Sequence, residues 1–332
     1  MSTLGTNVLT VRDVIRRSKP DGTLADITEM LNQMNGIADD APWVQADLPR
    51  GTYATQRTSL PTWATVNPNG TVSLSKSTTA QTLEPIEIMA TMLEIERNVG
   101  NYGTSSPAAK MASEAVAAVE GGKQSIASRL ISGNGTTTVG QINGLQARHS
   151  STTATNGANV ILAGALGGQT DCMSIYLVRW GERNAYCFYP QGTTAGIVMT
   201  PYPDRVSEPS STTRKIVSSE YFEWAFGLAV PNWTSVARIC NIDKSLLVAG
   251  TGADLFDKLS MAWHSTRRAG DGRDAIYMNT TTRMMLDIQA RNSVSTGGQL
   301  GYAVVDGKQI DTFRGVPINY EDKLTEAESV VS

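Results

Sequence analysis

Residues 105–132 carry a helical pattern much longer than an average protein helix. Ser106 can cap its start, and Pro107 suits its first turn. Apolar side chains recur along it at helical spacing: Met111, Ala115, Val119, Ile126 and Leu130. At about 1.5 Å per residue the helix would be a rod of about 42 Å, which is long for a compact enzyme domain. Any fold of this chain has to accommodate that rod.

Small residues lie within the apolar stripe of the predicted helix. Ala115, Ala118 and Gly122 would let another backbone approach closely. Gly121 and Gly122 each lower helix stability by about 1 kcal/mol relative to alanine. We therefore expect a bend or a weak point at these two glycines.

A glycine-rich stretch, LISGNGTTTVGQINGL (130–145), follows the helix. Gly135 and Gly140 have the spacing of a phosphate-binding loop, but that loop needs Lys and then Ser or Thr next. Gln141 and Ile142 stand there instead. The helix also precedes the loop, so its partially negative end would face any phosphate. The stretch is predicted to be a turn and not a nucleotide site.

Residues 50–80 predict an extended hairpin with little core of its own. The NPNG sequence is a strong turn signal between two β-prone runs, and Thr71–Lys76 alternates apolar and small polar residues as a half-buried strand does. An isolated two-stranded hairpin is marginal in water. The hairpin must either lie on its own chain or be stabilised by a neighbouring subunit, and the residues alone favour neither.

The rest of the chain predicts an α+β fold without internal repeats. A shorter helix is predicted from Thr23 to Asn35. The remaining predicted segments are strands at 174–180 and 185–190, a strand through Phe222, Trp224 and Phe226, a strand at 233–242, helices at 253–268 and 280–292, a hairpin at 302–313 turning at Asp306–Gly307, and a strand at 315–320. Polar loops are predicted at 150–159 and 207–215.

Composition restricts the class of protein. The chain has 332 residues and a formal net charge of −3, which argues against a general nucleic-acid binder. Cys172, Cys187 and Cys240 show no CxxC spacing and fit a reducing compartment better than a disulfide framework. We see neither a secretory signal nor an apolar run of about 18 residues, so we expect a soluble protein made inside a cell.

The candidate catalytic residues do not form a recognisable site. His149 is expected to be a solvated loop side chain, and His264 a favourable charge partner near a helix C-terminus. Glu84, Glu87, Glu94 and Glu96 alternate with apolar residues and predict a solvated face. Asp39–Asp40 could bind a cation but more readily fits a turn. The sequence therefore predicts no catalytic residue, cofactor site or metal site.

The order of motifs resembles the major capsid proteins of tailed bacteriophages, which share the Hong Kong 97 type fold, and among them those of short-tailed phages (podoviruses). The resemblance spans nearly the whole chain. It is carried in order by LPTWATVNPNGTVSLSKSTTAQ, the long helix ending in SGNG, the GL of INGLQAR, SIYLVRWGERNAYCFYPQGTTAG, FGLAVPNWTSVARICNID and FRGVPINY.

This resemblance implies a division of the chain. Residues 1–48 would be an N-terminal arm and 49–80 the extended loop (E-loop) that lies over a neighbouring subunit. Residues 81–134 would form the peripheral (P) domain with the spine helix 105–132, 135–300 the axial (A) domain, and 301–332 a hairpin and strand returning to the P domain. The glycines at 133–144 would then join the spine helix to the axial domain.

The resemblance also implies the partners. The chain would assemble with copies of itself into pentamers and hexamers of an icosahedral head enclosing double-stranded DNA, without sequence-specific binding and without a membrane. A separate scaffolding protein and a portal are implied, and a cement (decoration) protein is possible. Predicted inter-subunit contacts are Trp63, Val72, Leu74 and Lys76. Lys76 is also a formal candidate for the covalent cross-link of some members, which podovirus relatives generally lack.

Two other classes of function are weighed against this one. A soluble, hydrolase-like enzyme would use His149 or His264, and replacing both with alanine would then abolish function. A scaffold or tail component would be more charged or more helical than this chain. Under the capsid hypothesis, we expect deletion of residues 52–76 to leave a folded chain that no longer forms shells.

Overall fold

The computed structural model of the protein describes residues 9–19, 31–165, 167, 169–210, 213–266, 271–292, 301–305 and 308–331. Eight α-helices lie in this part of the chain: α1 (Val11–Arg16), α2 (Ile37–Asp40), α3 (Arg97–Gly100), α4 (Pro107–Ser132), α5 (Leu145–Arg148), α6 (Lys244–Val248), α7 (Leu255–Ser265) and α8 (Thr280–Asn292). Short 3-10 helices lie at Gly157–Asn159 and Trp233–Ser235.

Fourteen strands accompany these helices in the described part: β1 (Trp43–Gln45), β2 (Gly51–Ser59), β3 (Thr78–Pro85), β4 (Glu87–Glu96), β5 (Val160–Leu162), β6 (Cys172–Trp180), β7 (Tyr186–Tyr189), β8 (Val198–Ser210), β9 (Thr213–Ala229), β10 (Val236–Asp243), β11 (Arg273–Met278), β12 (Gly301–Val305), β13 (Lys308–Phe313) and β14 (Val316–Tyr320). The fold is α+β, as the sequence predicts.

Two compact units divide the chain. The first consists of Met1–Gln33, Ile88–Ile126 and Thr194–Ala225, and the second of Met34–Glu87, Ala127–Thr193 and Phe226–Ser332. In the first unit, β8 and β9 form a long antiparallel hairpin, and β4 is another neighbour of β9 in the sheet. The small helix α1 begins with a capping box between Thr10 and Asp13.

The second unit is built on a seven-stranded mixed sheet in the order β12-β13-β14-β11-β6-β10-β5. Its core contains apolar residues of β6, β10, β11 and β14 together with residues of α7 and α8, among them Ile175, Ile239, Ile276, Leu259 and Leu286. Strands β6 and β10 are buried along almost their whole length, which explains their nearly continuous apolar sequences.

Helix α4 confirms the long helix predicted at 105–132 and begins two residues later than predicted, at Pro107. The Ser106 hydroxyl accepts a hydrogen bond from Ala109 N at 3.2 Å, as expected of a cap. The helix is continuous through Gly121 and Gly122. Each glycine lowers the stability of the helix by about 1 kcal/mol, so the helix must be maintained by its tertiary contacts.

Several predicted elements are confirmed. Helix α8 has the predicted bounds, α7 lies within the predicted 253–268, and β6, β7, β10 and β14 occupy predicted strand positions. Strands β12 and β13 form the predicted hairpin, although its turn residues Asp306 and Gly307 lie outside the described residues.

Two local predictions are wrong. The predicted helix 23–35 lies partly outside the described residues, and 31–35 are not helical, because Asn35 bridges to Glu321 instead. The predicted loop 207–215 belongs largely to the β8–β9 hairpin. The predicted loop 150–159 is confirmed, and its last three residues form one turn of 3-10 helix, Gly157–Asn159.

Candidate assembly surface

The hairpin formed by β2 and β3 is anchored at its base. Thr52 and Ala54 are buried, and the Thr52 hydroxyl donates to Asp47 Oδ2 at 3.0 Å. On the facing strand, the buried carboxylate of Glu84 accepts two hydrogen bonds from Arg148, at 2.8 and 2.6 Å. Arg148 also donates to the Leu228 carbonyl at 3.0 Å. Such a bidentate, partly buried pair fixes the base of the hairpin on the second unit.

The far end of this hairpin, residues 60–77, is termed the hairpin tip. Strand pairing between β2 and β3 ends at Ser59 and Thr78, and the fully described tip contains no strand. The chain reverses at 67–70, where Gly70 N donates to the Asn67 carbonyl at 2.8 Å and Asn69 has φ 68°. The turn predicted from NPNG is thus confirmed.

The prediction of a strand at Thr71–Lys76 is wrong: this segment has no strand partner, and β3 begins only at Thr78. The Ser75 hydroxyl donates to the Thr62 carbonyl at 3.1 Å and joins the two limbs of the tip. The hydrogen bonds of a two-stranded hairpin are stable only when one apolar face of the hairpin packs against another element. The described residues supply no such face to the tip.

The tip places all four predicted contact residues in solvent. Trp63 is 98% exposed, Val72 75% and Leu74 102%, and Lys76 is also exposed. Trp63 lies on one limb of the tip and Leu74 on the other, and the hydrogen bond between Ser75 and Thr62 joins the two limbs. Large apolar side chains that are fully exposed within one short segment are typical of an interaction surface.

The glycine-rich stretch after α4 is packed against its own chain. Ile142 N donates to Glu87 Oε2 at 3.0 Å, and Arg129 Nε lies 3.1 Å from Glu87 Oε1. A Cβ added at Gly144 would lie 2.7 Å from the carbonyl oxygens of Arg129 and Ile131. The glycines therefore allow backbone segments to touch, in agreement with the predicted turn.

Glu84 and Glu87 correct the prediction of a solvated acidic face. Both side chains are buried and paired with arginines. Glu94 contacts Lys215 at 2.8 Å, so it also serves as a structural ion-pair partner. Glu96 differs from these three, because it caps helix α3 by accepting a hydrogen bond from Val99 N at 3.2 Å. The alternation of Glu with apolar residues therefore reflects ion pairs to distant cations for Glu84, Glu87 and Glu94 and a local helix cap for Glu96.

His149 is not the solvated loop residue that the sequence predicts. It is 1% exposed, and its ring Nδ1 lies 3.3 Å from the Leu145 carbonyl. Burial lowers the pKa of His149 from 6.5 to about 4, and the nearby cations Arg148 and Arg238 act in the same direction. The imidazole is neutral and enclosed, which does not suit a general base for an external substrate.

The other candidate catalytic residues have structural contacts as well. His264 lies exposed in the last turn of α7, as predicted, with its Nε2 3.2 Å from Arg314 Nη1. Asp40 accepts hydrogen bonds from the Tyr277 hydroxyl at 2.8 Å and from Asn319 Nδ2, and it pairs with Arg273. Asp40 is the last residue of helix α2, whereas the sequence predicts a turn at this position.

No sequence pattern pointed to the buried ion pair between Arg238 and Glu328. Their side chains are 1% and 2% exposed, and Arg238 Nη2 donates to Glu328 Oε2 at 2.8 Å. Arg238 also donates to the His149 carbonyl at 2.8 Å, and Ser174 donates its hydroxyl to Glu328. The pair fixes the C-terminal segment on the seven-stranded sheet.

Burial raises the pKa of all three cysteine thiols, and each is a free, buried cysteine. No group of three or more metal-ligating side chains occurs among the residues that the structure describes. None of the described helices is both long enough and apolar enough to cross a membrane.

The sequence from residue 19 to residue 332 matches the family of the major capsid protein GP7. The chain belongs to this family. A comparison with curated protein sequences returned no match. The family is one of structural shell proteins, so the chain is a phage capsid subunit and not an enzyme.

The fold is similar to solved structures of phage shells. A chain of bacteriophage epsilon15, determined by cryo-EM, has a TM-score of 0.79 and 24% identity, with 100% of each chain covered. The capsid of bacteriophage JBD30 gives a TM-score of 0.46 at 10% identity, covering 90% of this chain and 94% of that one. The capsid of a native GTA particle gives a TM-score of 0.45 at 10% identity, covering 66% of this chain and 93% of that one.

These findings confirm the main prediction from the sequence. The capsid subunit has the Hong Kong 97 type fold, its likeness to capsids of short-tailed phages is confirmed by epsilon15, and it assembles into the shell lattice of a phage head. The alternative of a hydrolase using His149 or His264 has no support. The protein is a component of the virion.

Proposed function

We propose that the hairpin tip is the part of this capsid subunit that becomes ordered against a neighbouring copy when shells assemble. The observation that carries the proposal is the run of exposed residues from 57 to 76, in which Trp63 and Leu74 are fully and Val72 largely in solvent. Burying one large apolar side chain stabilises an assembly by roughly 1.5–3 kcal/mol. Every copy in the shell would bury the same side chains, so the total stabilisation grows with the number of subunits.

The domain assignment belongs to this proposal. Residues 49–80 serve as the extended loop, and 1–48 as the N-terminal arm. Residues 81–134 form the peripheral domain, 135–300 the axial domain, and 301–332 the return to the peripheral domain. The order of motifs along the chain supports this assignment, and so does the anchored base of the hairpin.

The subunits assemble into pentamers and hexamers, and the closed shell encloses double-stranded DNA in the host bacterial cytoplasm. A net charge of −3 supports a shell that surrounds DNA without condensing it. A separate scaffolding protein and a portal take part in assembly, and a cement protein can bind the finished shell. Lys76 contributes a surface charge and no covalent cross-link.

Replacing residues 61–76 by Asn-Gly tests the role of the tip. This variant keeps β2 and β3. The deletion of residues 52–76, for which the sequence predicts a folded chain, would in addition remove the buried residues Thr52 and Ala54. We expect a folded subunit with an unchanged thermal midpoint and no shells in negative-stain micrographs.

A matched pair of variants refines the test. The first is a double variant, Trp63→Ser with Leu74→Ser, which removes the apolar groups. The second is a double variant, Thr65→Ser with Ser73→Ala, which changes the tip and leaves these apolar groups in place. Only the first pair should reduce the yield of shells. Normal shells from the Asn-Gly replacement would refute the proposal.

A further inference from the structure

Five asparagines of this chain are followed directly by glycine: Asn35, Asn69, Asn134, Asn143 and Asn156. Such a pair can modify itself, because the glycine amide nitrogen can attack the asparagine side-chain amide and glycine has no Cβ to obstruct the approach. The reaction requires a free side chain and a backbone that can rotate. The fold therefore decides which of the five pairs can react.

The two pairs that follow α4 are held in place. Asn134 Oδ1 accepts a hydrogen bond from Thr136 N at 3.0 Å, and Asn143 Oδ1 accepts one from Gly135 N at 3.0 Å. Gly144, which would supply the attacking nitrogen for Asn143, is buried. Both side chains are engaged in hydrogen bonds, so neither is free to form a new bond to its own backbone.

The first and last pairs are also held. Asn35 is only 3% exposed and bridges to Glu321. Asn156 Nδ2 donates to the Arg148 carbonyl at 2.7 Å, and Gly157, with the attacking nitrogen, is buried. Reaction at either pair requires the surrounding structure to open first.

The pair Asn69–Gly70 differs because it lies at the turn of the hairpin tip. Asn69 is exposed, and in the described part of the chain its side-chain amide makes no hydrogen bond. Gly70 N donates to the Asn67 carbonyl at 2.8 Å, but the turn belongs to a segment without strand pairing. Opening such an exposed turn costs far less free energy than opening a packed region.

Asn67 provides a control within the same turn. It is as exposed as Asn69, but Pro68 follows it. Proline has no backbone N–H, so the nitrogen after Asn67 cannot attack in the same way. Exposure alone therefore does not make an asparagine of this turn reactive.

We propose that Asn69 is a self-modification site of the unassembled subunit. Gly70 N loses its proton to hydroxide and bonds to Asn69 Cγ, while the Cγ–Nδ2 bond breaks and the side-chain nitrogen leaves as ammonia with a proton from water. Water then adds to one of the two carbonyl carbons of the cyclic imide and breaks its bond to nitrogen. The product is aspartate or isoaspartate, and nothing is oxidised or reduced.

The modification changes the tip in two ways. Lys76 is the only charged residue from 58 to 83, so the new carboxylate cancels the charge of this segment. Isoaspartate also adds one carbon to the main chain within the turn. We infer that modified subunits assemble less readily, and this effect rests on the proposed function of the tip. The modification then limits the time during which a free subunit can enter a shell.

Peptide mapping of the full-chain subunit tests the site. Folded subunits are incubated at mildly alkaline pH and digested with trypsin, which releases residues 58–76 as one peptide. We expect this peptide to gain the mass difference between water and ammonia, with isoaspartate at 69 and no change at Asn67. The rate should rise in proportion to hydroxide.

The other four Asn-Gly pairs are internal controls for the effect of the fold. In folded subunits Asn69 should react about ten-fold faster than any of them or more, because each of the four needs a costly local opening. In guanidinium chloride the five rates should become similar. If Asn69 reacts no faster than the other four pairs in the folded chain, the inference is wrong.

A variant that cannot react tests the effect on assembly. Asn69→Gly removes the side-chain amide and suits the positive φ of 68° at this position. Incubated parent subunits should lose shell yield in proportion to their modified fraction, whereas incubated Asn69→Gly should keep the yield of fresh subunits. Equal yields from fresh and modified parent subunits would overturn the effect on assembly.

The outcomes separate this inference from the proposed function. If the variant that lacks residues 61–76 forms no shells and modified subunits form them normally, only the effect on assembly fails. If that variant forms normal shells, the proposed function fails and the effect on assembly fails with it. Peptide mapping decides the modification of Asn69 in either case.

Discussion

At the scale of single residues, His149 and Arg238 show how the fold controls charge. His149 is buried with its backbone carbonyl accepting a hydrogen bond from Arg238, and Arg238 is neutralised by Glu328. Around His149 the interior therefore holds a compensated cation beside a neutral imidazole. Burial keeps the pKa of His149 near 4, so protonation would place a second cation beside Arg238.

This arrangement predicts a specific pH dependence of stability. Below pH 6.5 the unfolded chain binds a proton at His149 that the folded chain cannot bind until about pH 4. The free energy of unfolding should therefore fall as the pH falls through this window, by about 1.4 kcal/mol per pH unit and about 3 kcal/mol in all. Above pH 6.5 both states are neutral, and the contribution of His149 is constant.

Chemical denaturation between pH 4 and 7.5 measures this dependence. His149→Gln should remove that part of the slope, because glutamine does not titrate. His264→Gln, at an exposed position, is the matched control and should leave the slope as it is. Equal slopes for the parent protein and His149→Gln would contradict the assignment.

At the scale of elements, α4 and the stretch after it use glycine for opposite reasons. Gly121 faces open space, whereas Gly144 lies where a Cβ would be 2.7 Å from two carbonyl oxygens and 2.9 Å from Gly133 N. The first glycine weakens the helix, and the second is required by close backbone packing.

The same substitution should thus have opposite effects at these two positions. Gly121→Ala should raise the free energy of unfolding by about 1 kcal/mol, the difference in helix propensity. Gly144→Ala should lower it by about 2 kcal/mol, a typical cost of overpacking. Denaturant titration of the two variants provides the comparison, and a loss of stability at Gly121 would show that the space beside α4 is not open.

Local signals explain which elements the sequence predicts correctly. Helices α4 and α8 and the turn at 67–70 depend on residue spacing, caps and turn residues, which act over a few positions. Strand β8 was missed because Pro201 and Pro203 argue against a strand. The structure accommodates them because, among the described strands, β8 pairs with β9 alone, and the register is irregular between Tyr202 and Arg205.

Contacts between distant residues could not be predicted in the same way. Glu87 pairs with Arg129, Glu84 with Arg148, and Glu328 with Arg238. These partners are 42, 64 and 90 residues apart, so no local pattern distinguishes a buried carboxylate from a solvated one. The exposure of the tip follows from a local property, because this segment has too few large apolar groups to form a core of its own. The resemblance supplied its four contact residues, and their contact with another subunit stays a prediction.

At the scale of the whole molecule, the chain is a shell subunit whose hairpin is only partly supported from within. Its base is fixed by Arg148 and buried strand residues, while the tip presents Trp63 and Leu74 to solvent. A monomer would leave this apolar surface exposed, and a lattice of identical copies offers it a partner at every position.

The most direct test is oxidative footprinting of the Trp63 side chain in free subunits and in assembled shells, read by mass spectrometry. We expect rapid oxidation in free subunits, where Trp63 is 98% exposed, and about ten-fold slower oxidation in shells, where a neighbouring copy would cover it. Equal oxidation rates in the two states would contradict this expectation.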